Sequence, residues 1–136
     1  MFGVKNIDMR EEAALVLIGH GSALPYNEQI MHELRRKIEK KGIFKDVRVA
    51  FMQINSPGIE ETLRSLVEEK IRNIVVLPVF LAKGIHTMKD IPDILKKFHE
   101  SIEDDNIRII YGEPIGADDR LVDVLLDRVK EVLNKE

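Results

Sequence analysis

Two hydrophobic periods alternate along this chain. Ala14–Ile18 is a continuous aliphatic run, the pattern of a strand covered on both faces. Between Pro25 and Lys41 the apolar residues Ile30, Leu34 and Ile38 recur four apart, which predicts a helix closed by Gly42. In Val47–Met52, Val47, Val49 and Phe51 alternate with Arg48 and Ala50, a second strand. Ser56-Pro57 then reads as a helix start, with Ser as N-cap and Pro in the first turn, ahead of a stripe of Ile59, Leu63, Leu66 and Val67. Asn73–Ala82 is the most hydrophobic strand, and Pro78 predicts a bulge or an end within it because proline has no N–H for the ladder. A helix over Met88–His99, a strand in "IRIIYGEPIG" and a helix over Asp118–Leu133 complete the series, the last with Leu121, Leu125, Val129 and Val132 on one side.

Strand followed by helix four times over implies parallel strands with helices on both faces, since crossovers are right-handed. The predicted architecture is a flavodoxin-like, three-layer α/β fold with a four-stranded parallel sheet of order 2-1-3-4. It forms a single domain across residues 1–136, with 1–12 as an N-terminal extension. Such sheets bind ligands beyond the carboxyl ends of the strands, where the strand order reverses. Here that point lies between the first and third strands, just after Ile18 and just after Leu81.

Composition removes several alternatives. The 136 residues contain no Cys, which excludes disulfides, thiolate metal sites and a Cys nucleophile. A net charge of −3 without a sustained basic face speaks against nucleic-acid binding. No apolar run approaches the roughly 18 residues of a membrane span, so a cytoplasmic chain is expected.

Both switch-point segments carry a histidine. Gly19-His20-Gly21-Ser22 follows the first strand and Lys83-Gly84-Ile85-His86-Thr87 follows the third. Two imidazoles converging there could ligate a borderline divalent metal or move a proton near neutral pH. The glycines would leave room for something bulky to approach. Other readings of the same residues fail. The third glycine of a dinucleotide fingerprint is replaced by Leu24, no Gly-Lys-Ser/Thr phosphate loop is present, and no nucleophile elbow surrounds Ser22. Ser22 and Asp118-Asp119 read as helix caps, and His32 and His99 as surface residues on helices.

"LIGHGSALPYNE", "PVFLAKGIHTMKDIP" and "GEPIGADDRLVD" together resemble the small class II chelatases of archaea, the sirohydrochlorin cobalt and nickel chelatases, from about Ala14 to Val129. The resemblance implies a chelatase that inserts Co2+ or Ni2+ into sirohydrochlorin, for cobalamin or coenzyme F430, with no prosthetic group. It implies His20 as metal ligand and proton acceptor and His86 as second metal ligand. Leu81, Ala82, Lys83, Gly84, Ile85 and His86 would contact the tetrapyrrole, as would Ser56. Larger relatives build the site between two fused halves, so this chain is expected to pair as a homodimer. Lys83 stands where many relatives have His, Gln53 where they often have Glu, and Ser56 where some have an acidic residue. The "GIHT…DIP" and "EPIGADDR" blocks look most like methanogen enzymes, which favours nickel with cobalt also accepted. A non-catalytic metal or tetrapyrrole carrier of the same fold is the alternative.

Overall fold

The aliphatic runs do become strands, and the sheet they form has β1 at its centre. A computed structural model describes residues 12–135, so most of the expected N-terminal extension lies outside the described residues. The elements are β1 (Ala13–Gly19), α1 (Tyr26–Glu39), β2 (Asp46–Phe51), α2 (Ile59–Glu68), β3 (Asn73–Pro78), α3 (Ile91–Ser101), β4 (Arg108–Tyr111) and α4 (Asp119–Leu133). A π-helical turn, His86–Asp90, leads into α3. The strands are parallel in the order β2-β1-β3-β4, as expected.

Two cores flank the sheet. On one face Ala14, Val16 and Ile18 pack with Leu63 and Leu66 of α2 and Ile91, Leu95 and Phe98 of α3. On the other, Leu15, Leu17, Val47, Val49 and Phe51 pack beneath Met31 of α1. Leu63 is fully buried in the first core. Leu63→Ala is expected to lower the unfolding free energy by about 2–5 kcal/mol, read from urea unfolding, because the transfer loss is joined by a cavity term.

Several boundaries differ from the sequence reading. Helix α2 starts at Gly58, not Ser56: Phe51 donates to the Pro57 carbonyl at 2.9 Å and keeps the Ser-Pro pair, joined by a cis peptide, in the preceding turn. Gly58 N–H is met by Glu61 Oε1 at 3.3 Å instead. Strand β3 stops at Pro78, which has no N–H to donate, and only the Val79 bond to β1 lies beyond it. β4 likewise ends at Tyr111, before Gly112-Glu113-Pro114. Met31, not the Ile30–Leu34–Ile38 row, is the buried anchor of α1, and Ile30 is left exposed. His32 and His99 are half-buried rather than superficial. His32 meets the Phe51 ring edge-on at 6.2 Å, and His99 Nε2 lies 3.0 Å from the Ile107 carbonyl.

The arrangement creates the site's crevice. From the adjacent strands β1 and β3 the chain departs towards opposite faces, to α1 and to α3, so the two connections diverge above the strand ends. Val79 N–H to the Ile18 carbonyl at 2.9 Å is the last bond joining them.

Candidate functional site

His20 is held out of the first connection by the glycines on either side. A Cβ on Gly19 would lie 2.9 Å from Met31 Cγ and 3.2 Å from the Phe51 ring. Gly21 has φ +92°, and a Cβ there would lie 1.9 Å from the Gln53 carbonyl oxygen. These two glycines are therefore demanded by the protein's own packing, not by room for a ligand as the sequence suggested. Gly84 is different: a Cβ there would meet nothing within 4 Å, so the space above it is open.

Two asparagines that the sequence reading passed over fix this loop. Gly21 N–H donates to Asn27 Oδ1 at 3.2 Å, and Ser22 N–H to Asn55 Oδ1 at 2.8 Å. Ser22 does not cap α1; its Oγ accepts the Leu24 N–H, and Pro25 occupies the N-cap without a side-chain bond. Between Gln53 and Asn55, Ile54 has φ 65° and is exposed. A β-branched residue in that region is strained, and the strain sits on the loop that carries Ser56.

His86 opens the second connection. The π-helical turn closes with Ile91 N–H on the His86 carbonyl, one residue wider than an α-turn. Asp90 accompanies it, with Oδ2 2.9 Å from His86 Nδ1. Thr87, nearly buried, accepts the Gly84 N–H at 2.9 Å and donates back to the Gly84 carbonyl at 3.2 Å. Tyr111 at the end of β4 donates its hydroxyl to the Thr87 carbonyl at 2.8 Å. Burial first, and the Glu113 carboxylate second, push the Tyr111 hydroxyl up to about 12, so it remains a donor throughout the neutral range.

The two imidazoles meet. Their ring centroids are 5.1 Å apart with planes at 62°, and Phe80 presents its ring to them at 6.0 Å and 6.5 Å. His20 Nδ1 lies 3.1 Å from the Gly21 carbonyl, as His86 Nδ1 does 2.9 Å from Asp90. Both partners are acceptors, so Nδ1 carries a proton in each ring, and in the neutral imidazole the lone pair is then on Nε2. An ion about 2.1 Å from an imidazole nitrogen sits roughly 3.2 Å from the ring centroid, so two ligands near the tetrahedral angle have centroids about 5 Å apart. The observed centroid separation of 5.1 Å is close to that spacing.

Among the described residues no group of three or more His, Cys, Asp or Glu side chains is placed to hold a metal. The two imidazoles alone could supply two ligands and would leave the other positions of an ion to water or substrate. The remaining expected residues are arranged around them. Leu81 and Ile85 are exposed, at 62% and 73%, and so are Ala82, Lys83 and Gly84. Lys83 Nζ is 3.3 Å from Glu113 Oε2. Ser56 is exposed on the loop that Asn55 ties to Ser22. Asp118 caps α4 as expected, accepting the Arg120 N–H at 2.9 Å, and Arg120 holds its carboxyl well below the usual range.

A doubly wound parallel sheet with two facing imidazoles at its switch point defines an α/β protein whose candidate site lies beyond the carboxyl ends of β1 and β3. The chain belongs to the CbiX family, whose model matches residues 14–132. It is 38% identical to the sirohydrochlorin cobaltochelatase of Methanopyrus kandleri over 90% of this chain and 99% of that one. It is 40% identical to the protein of that name from Methanococcus aeolicus, over 86% and 97%. The cobalt complex of the sirohydrochlorin chelatase SirB from Bacillus subtilis superposes with a TM-score of 0.81 at 26% identity, covering 89% of this chain. This chain spans only 51% of that one. No helix among the described residues is long and apolar enough to cross a membrane.

Proposed function

We propose that the chain is a sirohydrochlorin metallochelatase, which transfers Co2+ or Ni2+ as a substrate into the tetrapyrrole. The observation that carries this reading is the 5.1 Å imidazole pair with both Nδ1 atoms engaged. The relatives named for cobalt insertion support the substrate and the reaction class. On this reading His20 and His86 hold the ion by Nε2, and water or the substrate's pyrrole nitrogens fill the open positions. Insertion releases two pyrrole N–H protons as the ion enters the ring. His20, the more exposed imidazole, accepts one of them as it lets the ion go, and the other passes to solvent. A closed four-ligand cage could not release its ion in this way.

Ser56 and the exposed segment Leu81–Ile85 form the rim that receives the macrocycle. Lys83 offers a cation to its carboxylate arms in exchange for Glu113. The reaction belongs in the cytoplasm, with a paired second copy completing the enclosure of the site. Nickel would serve coenzyme F430 and cobalt cobalamin; the imidazole pair accepts both. Anaerobic absorbance spectroscopy of sirohydrochlorin mixed with Co2+, Ni2+ or Fe2+ tests the proposal. Acceleration above the uncatalysed rate is expected with Co2+ and Ni2+, and the faster ion is the physiological candidate. Binding without acceleration by any metal would identify a carrier and overturn the enzymatic reading.

Asp90 gives this site a second test. Its carboxylate takes the Nδ1 proton as a hydrogen bond, which fixes the His86 tautomer and ring orientation. Asp90→Asn is expected to weaken Co2+ binding by about 10–100-fold, measured by titration in the absence of tetrapyrrole.

A further inference from the structure

The turn that presents His86 holds one residue more than an α-turn would. Ile91 N–H bonds the His86 carbonyl, five residues back. That bond takes the donor that an α-helix would have given to the Thr87 carbonyl. The next step of a π-turn would offer Thr87 the N–H of residue 92. Residue 92 is a proline, inside the first turn of α3, and has none. Of the two helical donors within reach of this carbonyl, one is spent and the other is missing. Thr87 is 4% exposed, so water is a poor substitute.

Tyr111 supplies the donor. Its hydroxyl reaches the Thr87 carbonyl at 2.8 Å from the last residue of β4. The ring that carries this hydroxyl is anchored in the sheet. Tyr111 pairs with Val76 of β3 and packs against the core shared with α2 and α3, where Ile109 is fully buried. Gly112 N–H, on the Val76 carbonyl at 2.9 Å, carries the pairing one step past it. A phenol on a strand end thus completes a helical turn twenty-four residues away in the chain.

We propose that Tyr111 is a positioning residue for His86, its hydroxyl holding the wide turn in the register that brings the two imidazoles together. The competing register is defined by the same groups. Without the hydroxyl the nearly buried Thr87 carbonyl is left unpaired, and the helical donor in reach of it is Ile91 N–H. Passing that N–H from His86 to Thr87 turns the π-turn into an α-turn and drops one residue from it. The segment before Ile91 then rotates about the helix axis, relative to α3, by one residue's step, about 100°. His86 leaves its 5.1 Å approach to His20, and Gly84, whose N–H is held by Thr87 Oγ1 at 2.9 Å, turns with it.

This role rests on the reading of His20 and His86 as ligands of one ion, and it adds a residue outside that pair. Asp90 orients the His86 ring from within the turn, whereas Tyr111 sets where the turn presents it. Pro92 and Tyr111 act together: the proline withholds an internal donor and the tyrosine replaces it from β4. The direction of His86 is thereby fixed by the sheet rather than by its own turn.

Tyr111→Phe in the full-length chain removes the hydroxyl and keeps the ring in its core. Long-range HNCO spectra of the metal-free protein, which detect coupling through a hydrogen bond, report the carbonyl that receives Ile91 N–H. That carbonyl is expected to be His86 in the wild type and Thr87 in Tyr111→Phe. Co2+ titration without tetrapyrrole is expected to show binding weakened about tenfold, with the circular dichroism of the wild type retained. An Ile91 bond that stays on His86, or a variant that binds Co2+ as the wild type does whatever its stability, would overturn the positioning role and leave the two-imidazole site intact. A wild type that binds Co2+ no better than His86→Ala would overturn that site, and the positioning role with it.

Discussion

Removing either site imidazole is expected to abolish metal insertion while leaving the fold unchanged. His20 is exposed and His86 half-buried, and neither belongs to the two cores. His20→Ala and His86→Ala should therefore retain the wild-type circular dichroism and unfolding midpoint. Their anaerobic insertion rates should fall at least about 100-fold, since a positioned proton acceptor alone contributes that much and a metal ligand is lost as well. The two variants should nevertheless differ. His86 is backed by the Asp90 carboxylate, His20 by the weaker Gly21 carbonyl, so on the proposed reading His86 is expected to hold the ion more tightly. Co2+ titration should show His86→Ala as the weaker binder of the two. Equal binding by both variants would mean that the Asp90 contact has no part in holding the ion.

The second large effect is expected at Gly21. Its φ of +92° is unfavourable for any side chain, and a Cβ would stand 1.9 Å from a backbone oxygen of the Gln53–Asn55 loop. That loop cannot yield freely, because Asn55 anchors Ser22 and Phe51 is bonded to Pro57. Gly21→Ala is expected to cost about 3 kcal/mol or more of stability, since backbone strain and a steric clash add. Gly84→Ala is the control. With nothing within 4 Å of its Cβ and no positive φ, it should change stability by less than about 1 kcal/mol. If the tetrapyrrole crosses this rim, Gly84→Ala lowers insertion without lowering the unfolding midpoint. Chemical unfolding and insertion rate on the same samples separate the two glycines.

The sheet was legible because its strands are unbroken aliphatic runs, and Val16 or Ile74 has no alternative to burial. From the sheet order the switch point followed, and with it the meeting of His20 and His86. What escaped the sequence is what only tertiary contacts decide. Asn27 and Asn55 are ordinary polar residues until the β1 connection passes within reach of their carboxamides. Asp90 could have been found from its spacing, four residues beyond His86, but the expected helix began only at Met88. Ser56-Pro57 carries a strong helix-start signature, yet the bond from Phe51 to Pro57 claims the pair for a turn. Helix α4 illustrates a different limit. Its apolar stripe correctly predicts a helix, but periodicity records only that a face is to be covered, not what covers it.

The proposed reaction requires one ion to be shared by two imidazoles. X-ray absorption spectroscopy of the Co2+-loaded, tetrapyrrole-free protein counts those ligands directly. Two imidazole nitrogens near 2.1 Å are expected in the wild type, with water in the remaining positions, and one in each of His20→Ala and His86→Ala. A wild-type spectrum with one imidazole or none, or one that neither substitution alters, would contradict the account.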